Sequence, residues 1–136
     1  MAVKWNGPQI AARVRKGTLA GLVIGIGIVE QRVVQLTTQM PKTGRVYRRR
    51  GVKHQSSAPY EPFASDTGNT LAGRTIKIDA AALRATLTFR TVNAARMEFG
   101  TKKMRPRPSA RRALSETADQ VRDAVLGEIA TELRRR

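Results

Sequence analysis

The chain of 136 residues contains no cysteine. That excludes a disulfide framework, a thiol nucleophile and thiolate metal ligation. It contains a single histidine, His54, set in a basic, polar run that suits a solvated loop better than a triad or a metal site. Aromatic residues make up 4% of the chain, too few to build a stacking platform for single-stranded bases. Acids are scarce, ten against 26 lysines and arginines. Long apolar runs are missing too. The longest uncharged stretch, GTLAGLVIGIGIV at 17–29, has 13 residues, where a bilayer span needs about 20. Arg13, Arg15 and Lys16 precede it in the manner of a signal peptide. No small-residue cleavage site follows, and EQRVVQL continues in helical rhythm. A buried helix is the reading, and a cleaved signal is the alternative.

What the chain has in excess is positive charge, with a net value of +16. A charge of this size does not specify a fold. It repels itself and draws the protein to polyanions: nucleic acid, acidic protein faces or anionic lipid. Five of the ten acids lie between Glu116 and Glu132, so residues 1–115 hold only five acids against 22 bases. Two stretches, 42–53 and 102–112, carry six bases each and no acid. Their candidate contacts to another subunit, a partner or DNA are Arg45, Arg48, Arg49, Arg50 and Lys53, then Lys102, Lys103, Arg105, Arg107, Arg111 and Arg112. Arginine predominates, and its planar fork serves phosphate and carboxylate alike. DNA contact and docking on an acidic protein face both remain open.

The length suits one domain. Residues 1–8 read as an N-terminal arm and 9–136 as a single α+β domain. Ile10, Val14, Leu22, Ile26, Val29, Val33 and Leu36 recur on one face of a long helix that Pro41 ends. Gly17, Gly21 and Gly25 share a face, each costing about 1 kcal/mol against alanine in a helix. Such a stripe implies close approach of another helix, as between subunits, or small residues laid on a sheet. Residues 42–70 read as an extended basic loop, of a length that is usually functional or disordered. GRTIKID at 73–79 and LRATLTFRTV at 83–92 alternate as an antiparallel pair. A helix from Pro108 to about Leu133, with Leu114, Ala118, Val121, Val125, Ile129 and Leu133 on one face, is expected to pack on that small sheet.

Asp66-Thr67-Gly68 spells the aspartic-protease triplet. It lies in a polar loop with no apolar strand before it, so a turn in which Asp caps and Gly supplies positive φ is the better reading. Glu98 is nearly alone among bases, and no second carboxylate can be placed beside it. It reads as an ion-pair partner or turn acceptor, with Gly100 letting the backbone bend. Gly25-x-Gly27 follows no strand and completes no nucleotide-binding loop. Nothing in the sequence calls for a metal, a cofactor or an enzyme.

SSAPYEPFASDTGNTLAGRTIKI at 56–78 and ARMEFGTKKMRPRPSARRAL at 95–114, followed by a final helix, resemble the tailed-phage neck and tail-completion family, often described as minor tail components. The likeness spans roughly residues 9–134. Its motifs are Asp66-Thr67-Gly68 with Leu71, Glu98-Phe99-Gly100-Thr101, and Pro106 with Pro108. Leu71 comes one residue late, and Ser109 stands where the family has a large apolar residue. The resemblance implies a non-enzymatic virion protein at the head–tail interface, assembled in the host cytoplasm. It implies a homo-oligomeric ring between head-closure or connector proteins and the tail terminator or tail tube, with packaged double-stranded DNA passing through. No membrane partner is implied. The alternative, from charge alone, is a free-standing DNA- or RNA-binding protein.

Overall fold

A computed structural model describes residues 6–65 and 67–135. A 32-residue helix, α1 (Gly7–Thr38), opens the chain, with Pro8 in its first turn, where a missing N–H removes no helical bond. The hairpin β1 (Val46–Arg49) and β2 (Val52–Gln55) follows. After it come a single turn of helix, α2 (Asn69–Ala72), and a second hairpin, β3 (Arg74–Asp79) and β4 (Arg84–Phe89). Two further helices, α3 (Val92–Phe99) and α4 (Ala110–Arg134), complete an α+β fold.

The glycine stripe of α1 meets α4 of the same chain, neither a second subunit nor a sheet. A Cβ on Gly17 would lie 2.6 Å from Ile129 Cα, on Gly21 2.4 Å from Val125 Cα, and on Gly25 2.8 Å from Val121 Cγ1. Ascending numbers on α1 meet descending numbers on α4, so the two helices run antiparallel. Only glycine admits an approach this close. Ion pairs fix the register at each end: Lys16 to Glu132 at 3.2 Å and Arg32 to Glu116 at 2.7 Å. The long C-terminal helix therefore packs chiefly on α1 and not, as expected, on the sheet. Val121, Val125 and Ile129 face the glycines as expected, while at the two ends of α4 the buried residues are Ala113, Thr117 and Glu132, one position round the helix from Leu114, Ala118 and Leu133, which are exposed.

The core is small and lies at the C-terminal half of α1. Val29, Val33 and Leu36 meet Phe63, Leu71 and Ala113 there, flanked by Met40, Leu87, Phe89, Met97 and Val121. The β3–β4 pair covers this core through Leu87 and Phe89, which lie on the half-buried face expected from the alternation. Asp79 closes the hairpin by accepting the backbone N–H groups of Ala81 and Ala82, each at 3.0 Å. Arg15 ties that turn to α1 through the carbonyl of Ala80 at 2.6 Å.

The segment 42–70 is not one loop, since β1 and β2 lie within it. Arg50 and Gly51 adopt φ of 51° and 79°, the left-handed pair that a tight two-residue hairpin turn requires. By length and hydropathy alone α1 is able to cross a membrane. Its packing partner carries charge along its whole length, Asp119 being 84% exposed, which suits a pair bathed in water.

Candidate functional site: a capped turn and two basic clusters

The turn between α3 and α4 is built around Glu98. The four leading N–H groups of a helix have no partner within it, and the helix dipole favours negative charge there. Ser109, the residue before α4, is buried and does not cap the helix through its side chain. Glu98 does so from the preceding helix. One oxygen accepts from the N–H groups of Ser109 and Ala110 at 2.9 and 3.1 Å, and the other from that of Arg111 at 2.8 Å. Arg111 folds back on its acceptor, donating from Nε to Glu98 at 3.3 Å and from Nη2 to the Glu98 carbonyl at 2.7 Å. Its guanidinium lies 5.0 Å from the centre of the Phe99 ring.

Gly100 makes the chain reversal possible. Its φ is 77°, and a Cβ there would stand 2.7 Å from the Met104 carbonyl and 2.9 Å from Pro106 N. Thr101 and Met104 then close a small loop with Lys102 and Lys103 at its tip. The stretch of chain around the prolines is held by two backbone bonds, Arg107 N–H to the Met97 carbonyl at 2.6 Å and Tyr60 N–H to the Pro106 carbonyl at 2.8 Å. Glu98, Phe99, Gly100, Thr101, Pro106 and Pro108 thus form one structural unit. Asp66, the remaining acid of the expected turn motifs, lies outside the described residues. Its neighbours Thr67 and Gly68, the latter at φ 76°, lead into α2.

The expected basic contacts divide into three groups. Arg111 and Arg112 are engaged within the fold, Arg112 with Glu116 at 2.7 Å. The Arg112 guanidinium and that of Arg32 hold the Glu116 carboxyl below the usual carboxylate range, against a smaller opposing effect of burial. Arg49 and Arg107 line a cavity of about 260 Å³ together with Tyr47, Phe63 and Met97. Arg107 reaches Met104 Sδ at 3.2 Å, and its buried Nε has no hydrogen-bond partner among the described residues. The third group is Arg45, Arg48, Arg50 and Lys53 on the first hairpin with Lys102, Lys103 and Arg105 on the turn. These are exposed, and none has an acid within ion-pair distance among the described residues.

The root of the first hairpin is anchored by backbone and side-chain hydrogen bonds. The Gly44 N–H donates to the Ser56 carbonyl and the Ser56 N–H to the Arg45 carbonyl, each at 3.0 Å, and Glu61 accepts from the Ala58 and Thr43 N–H groups at 2.8 and 3.1 Å. The Thr43 hydroxyl, followed by those N–H groups, holds the Glu61 carboxyl below its usual range. Lys42 caps the C-terminal end of α1 on the Leu36 carbonyl at 2.6 Å, and partial burial lowers its pKa. Above this root every residue of β1 and β2 except His54 is exposed.

Among the described residues no cluster of three His, Asp or Glu side chains is placed to hold a metal. A cavity of about 470 Å³ is an open polar groove between α1 and α4, lined by Gln31, Arg32, Gln35, Glu116 and Gln120. Comparison with protein-family models, curated proteins and solved structures finds no match.

Proposed function

We propose that the chain is a structural protein of the tailed-phage head–tail interface, working as a closed homo-oligomeric ring that joins the connector side to the tail and lets DNA pass. The observation that carries this reading is surface. The chain exposes 9702 Å², whereas a compact monomer of its mass exposes about 7,000 Å². Large apolar side chains lie in that excess: Val92 at 74% exposed, Phe99 at 69% and Tyr60 at 59%. Val92 and Phe99 lie seven residues apart on one side of α3, and exposed apolar groups so placed suit a surface that neighbours cover.

The resemblance supplies the identity of those neighbours, and the local geometry is compatible with it. Glu98 and Gly100 serve the turn, which leaves the motif residues with an architectural part and no chemical one. Heterologous contacts repeated about an axis would cover Val92, Phe99 and Tyr60 on every copy at once. Native mass spectrometry of the purified chain tests this. A closed ring of one stoichiometry is expected, and a monomer at all accessible concentrations would refute the ring. The second reading, a free-standing nucleic-acid-binding protein, draws on the exposed basic hairpin. It requires tight, steeply salt-dependent DNA or RNA binding by a monomer.

A further inference from the structure

We infer that the β1–β2 hairpin is a DNA-backbone contact, a cationic ribbon that meets the phosphates of double-stranded DNA with the outward face holding Arg48 and Lys53 and with Arg50 at its tip. The inference deepens the channel reading proposed above, because it names the surface of each copy that meets the DNA.

The geometry separates the two faces of the ribbon. Successive side chains of a strand point to opposite sides. Tyr47 pairs with His54, their rings stacked at 5.6 Å, and Arg49 with Val52. Tyr47 and Arg49 line the cavity shared with Arg107, so this face turns toward the body of the protein. Arg48 and Lys53 therefore point the other way, directly opposite each other across the ladder. Like charges so placed destabilise a hairpin. A two-stranded ribbon is at best marginal on its own, and packing of β1 and β2 on the other helices and strands is slight. A self-repelling, exposed blade on a well-anchored root is unfavourable for an isolated fold and suited to an anionic partner.

Double-stranded DNA fits that partner better than an acidic protein face. Protein–protein interfaces take arginine but are otherwise depleted in charge at their cores, whereas DNA interfaces are strongly positive throughout, which suits a run of bases with no acid. Here residues 45–55 carry five bases and no acid. The B-form major groove, about 12 Å wide, admits a two-stranded ribbon and sets its side chains between two lines of phosphates, while the A-form major groove of duplex RNA is too narrow to admit one. Low aromatic content disfavours a single-stranded partner.

The test compares two variants that remove equal charge, Arg48→Gln/Arg50→Gln/Lys53→Gln in the hairpin and Lys102→Gln/Lys103→Gln/Arg105→Gln in the turn. Each is titrated with a 30-base-pair duplex of mixed sequence over a range of salt concentrations, and the oligomeric mass of each is recorded. Relief of the Arg48–Lys53 repulsion keeps the hairpin variant folded, which circular dichroism checks. Each lost phosphate contact lowers the slope of log K against log salt by about 0.9, so the hairpin variant should lose about 3 in slope and ~10²–10³-fold in affinity at 0.1 M salt. The turn variant should lose less than about 1 in slope. Equal losses in both variants would overturn the inference in favour of a diffuse cationic surface. Unchanged DNA binding, with self-assembly or binding to an acidic polypeptide lost, would overturn it in favour of a protein contact. If the chain stays monomeric while the hairpin variant alone loses DNA, the ring proposal fails and the hairpin inference stands.

Discussion

Replacing Gly21 by alanine places a methyl carbon 2.4 Å from Val125 Cα and 3.1 Å from its Cβ. The first of these is backbone, so no rotamer change relieves it. Two helices tied by ion pairs near both ends must move apart, or the chain must bend. Overpacking of this kind costs about 3 kcal/mol at the upper end of its usual range. Alanine returns about 1 kcal/mol of helix propensity. The net loss is about 2 kcal/mol, or roughly 6–10 °C in melting temperature for a domain of this size. Gly27 is on the same helix, and a Cβ there would meet nothing within 4 Å. Gly27→Ala should therefore gain about 0.5–1 kcal/mol. Urea denaturation followed at 222 nm reads both variants against the parent. If Gly21→Ala unfolds at the same or higher urea concentration than the parent, the close packing of α1 on α4 is refuted. If the two glycines respond alike, position in the interface is irrelevant and the reasoning fails with it.

Glu98→Ala should cost about 2 kcal/mol by leaving three N–H groups at the start of α4 without their acceptor, and Glu98→Gln about half of that; urea midpoints give both values. Glu61 and Glu116 have folded-state pKa values below their unfolded ones, so their contribution is complete above the unfolded carboxyl pKa and lost as pH falls through the folded value. Melting temperature should accordingly fall below about pH 4.5, and Glu61→Gln should flatten that fall; an identical acid limb in the variant would contradict the assignment. Amide exchange in β1 and β2 should slow when the chain assembles, and equal protection in free and assembled protein would count against covering of the hairpin.

The two long helices and the β3–β4 pair are legible in the sequence because each repeats its apolar positions at the period of its element. The glycine stripe is legible as a close approach, but the identity of the partner is not. Nothing in three glycines four apart says whether the neighbouring helix belongs to the same chain. Val121, Val125 and Ile129 on α4 are legible as the face that α1 receives, and only its ends are not. Leucine at 114 and 133 looks like core, yet the buried positions there are Ala113, Thr117 and Glu132, one residue round the helix.

The first hairpin escapes a sequence reading because its strands alternate arginine, lysine and tyrosine where apolar residues would mark a buried face, and its turn is Arg50-Gly51 and not Asn-Gly. The cap on α4 escapes because Glu98 lies eleven to thirteen residues before the N–H groups it receives, while Ser109 occupies the local capping position. Only the isolation of Glu98 among bases marks it. The division of the basic residues into engaged and exposed is likewise invisible, since Arg111 and Arg48 differ in partners and not in sequence character.

The central claim is that this surface exists to be covered by copies of itself and by fixed neighbours. The most direct measurement is the mass of the purified chain under native conditions, followed over a concentration series. The account predicts a single closed oligomer that persists on dilution and buries Phe99, Val92 and Tyr60. A stable monomer with those side chains open to solvent at every concentration would contradict it.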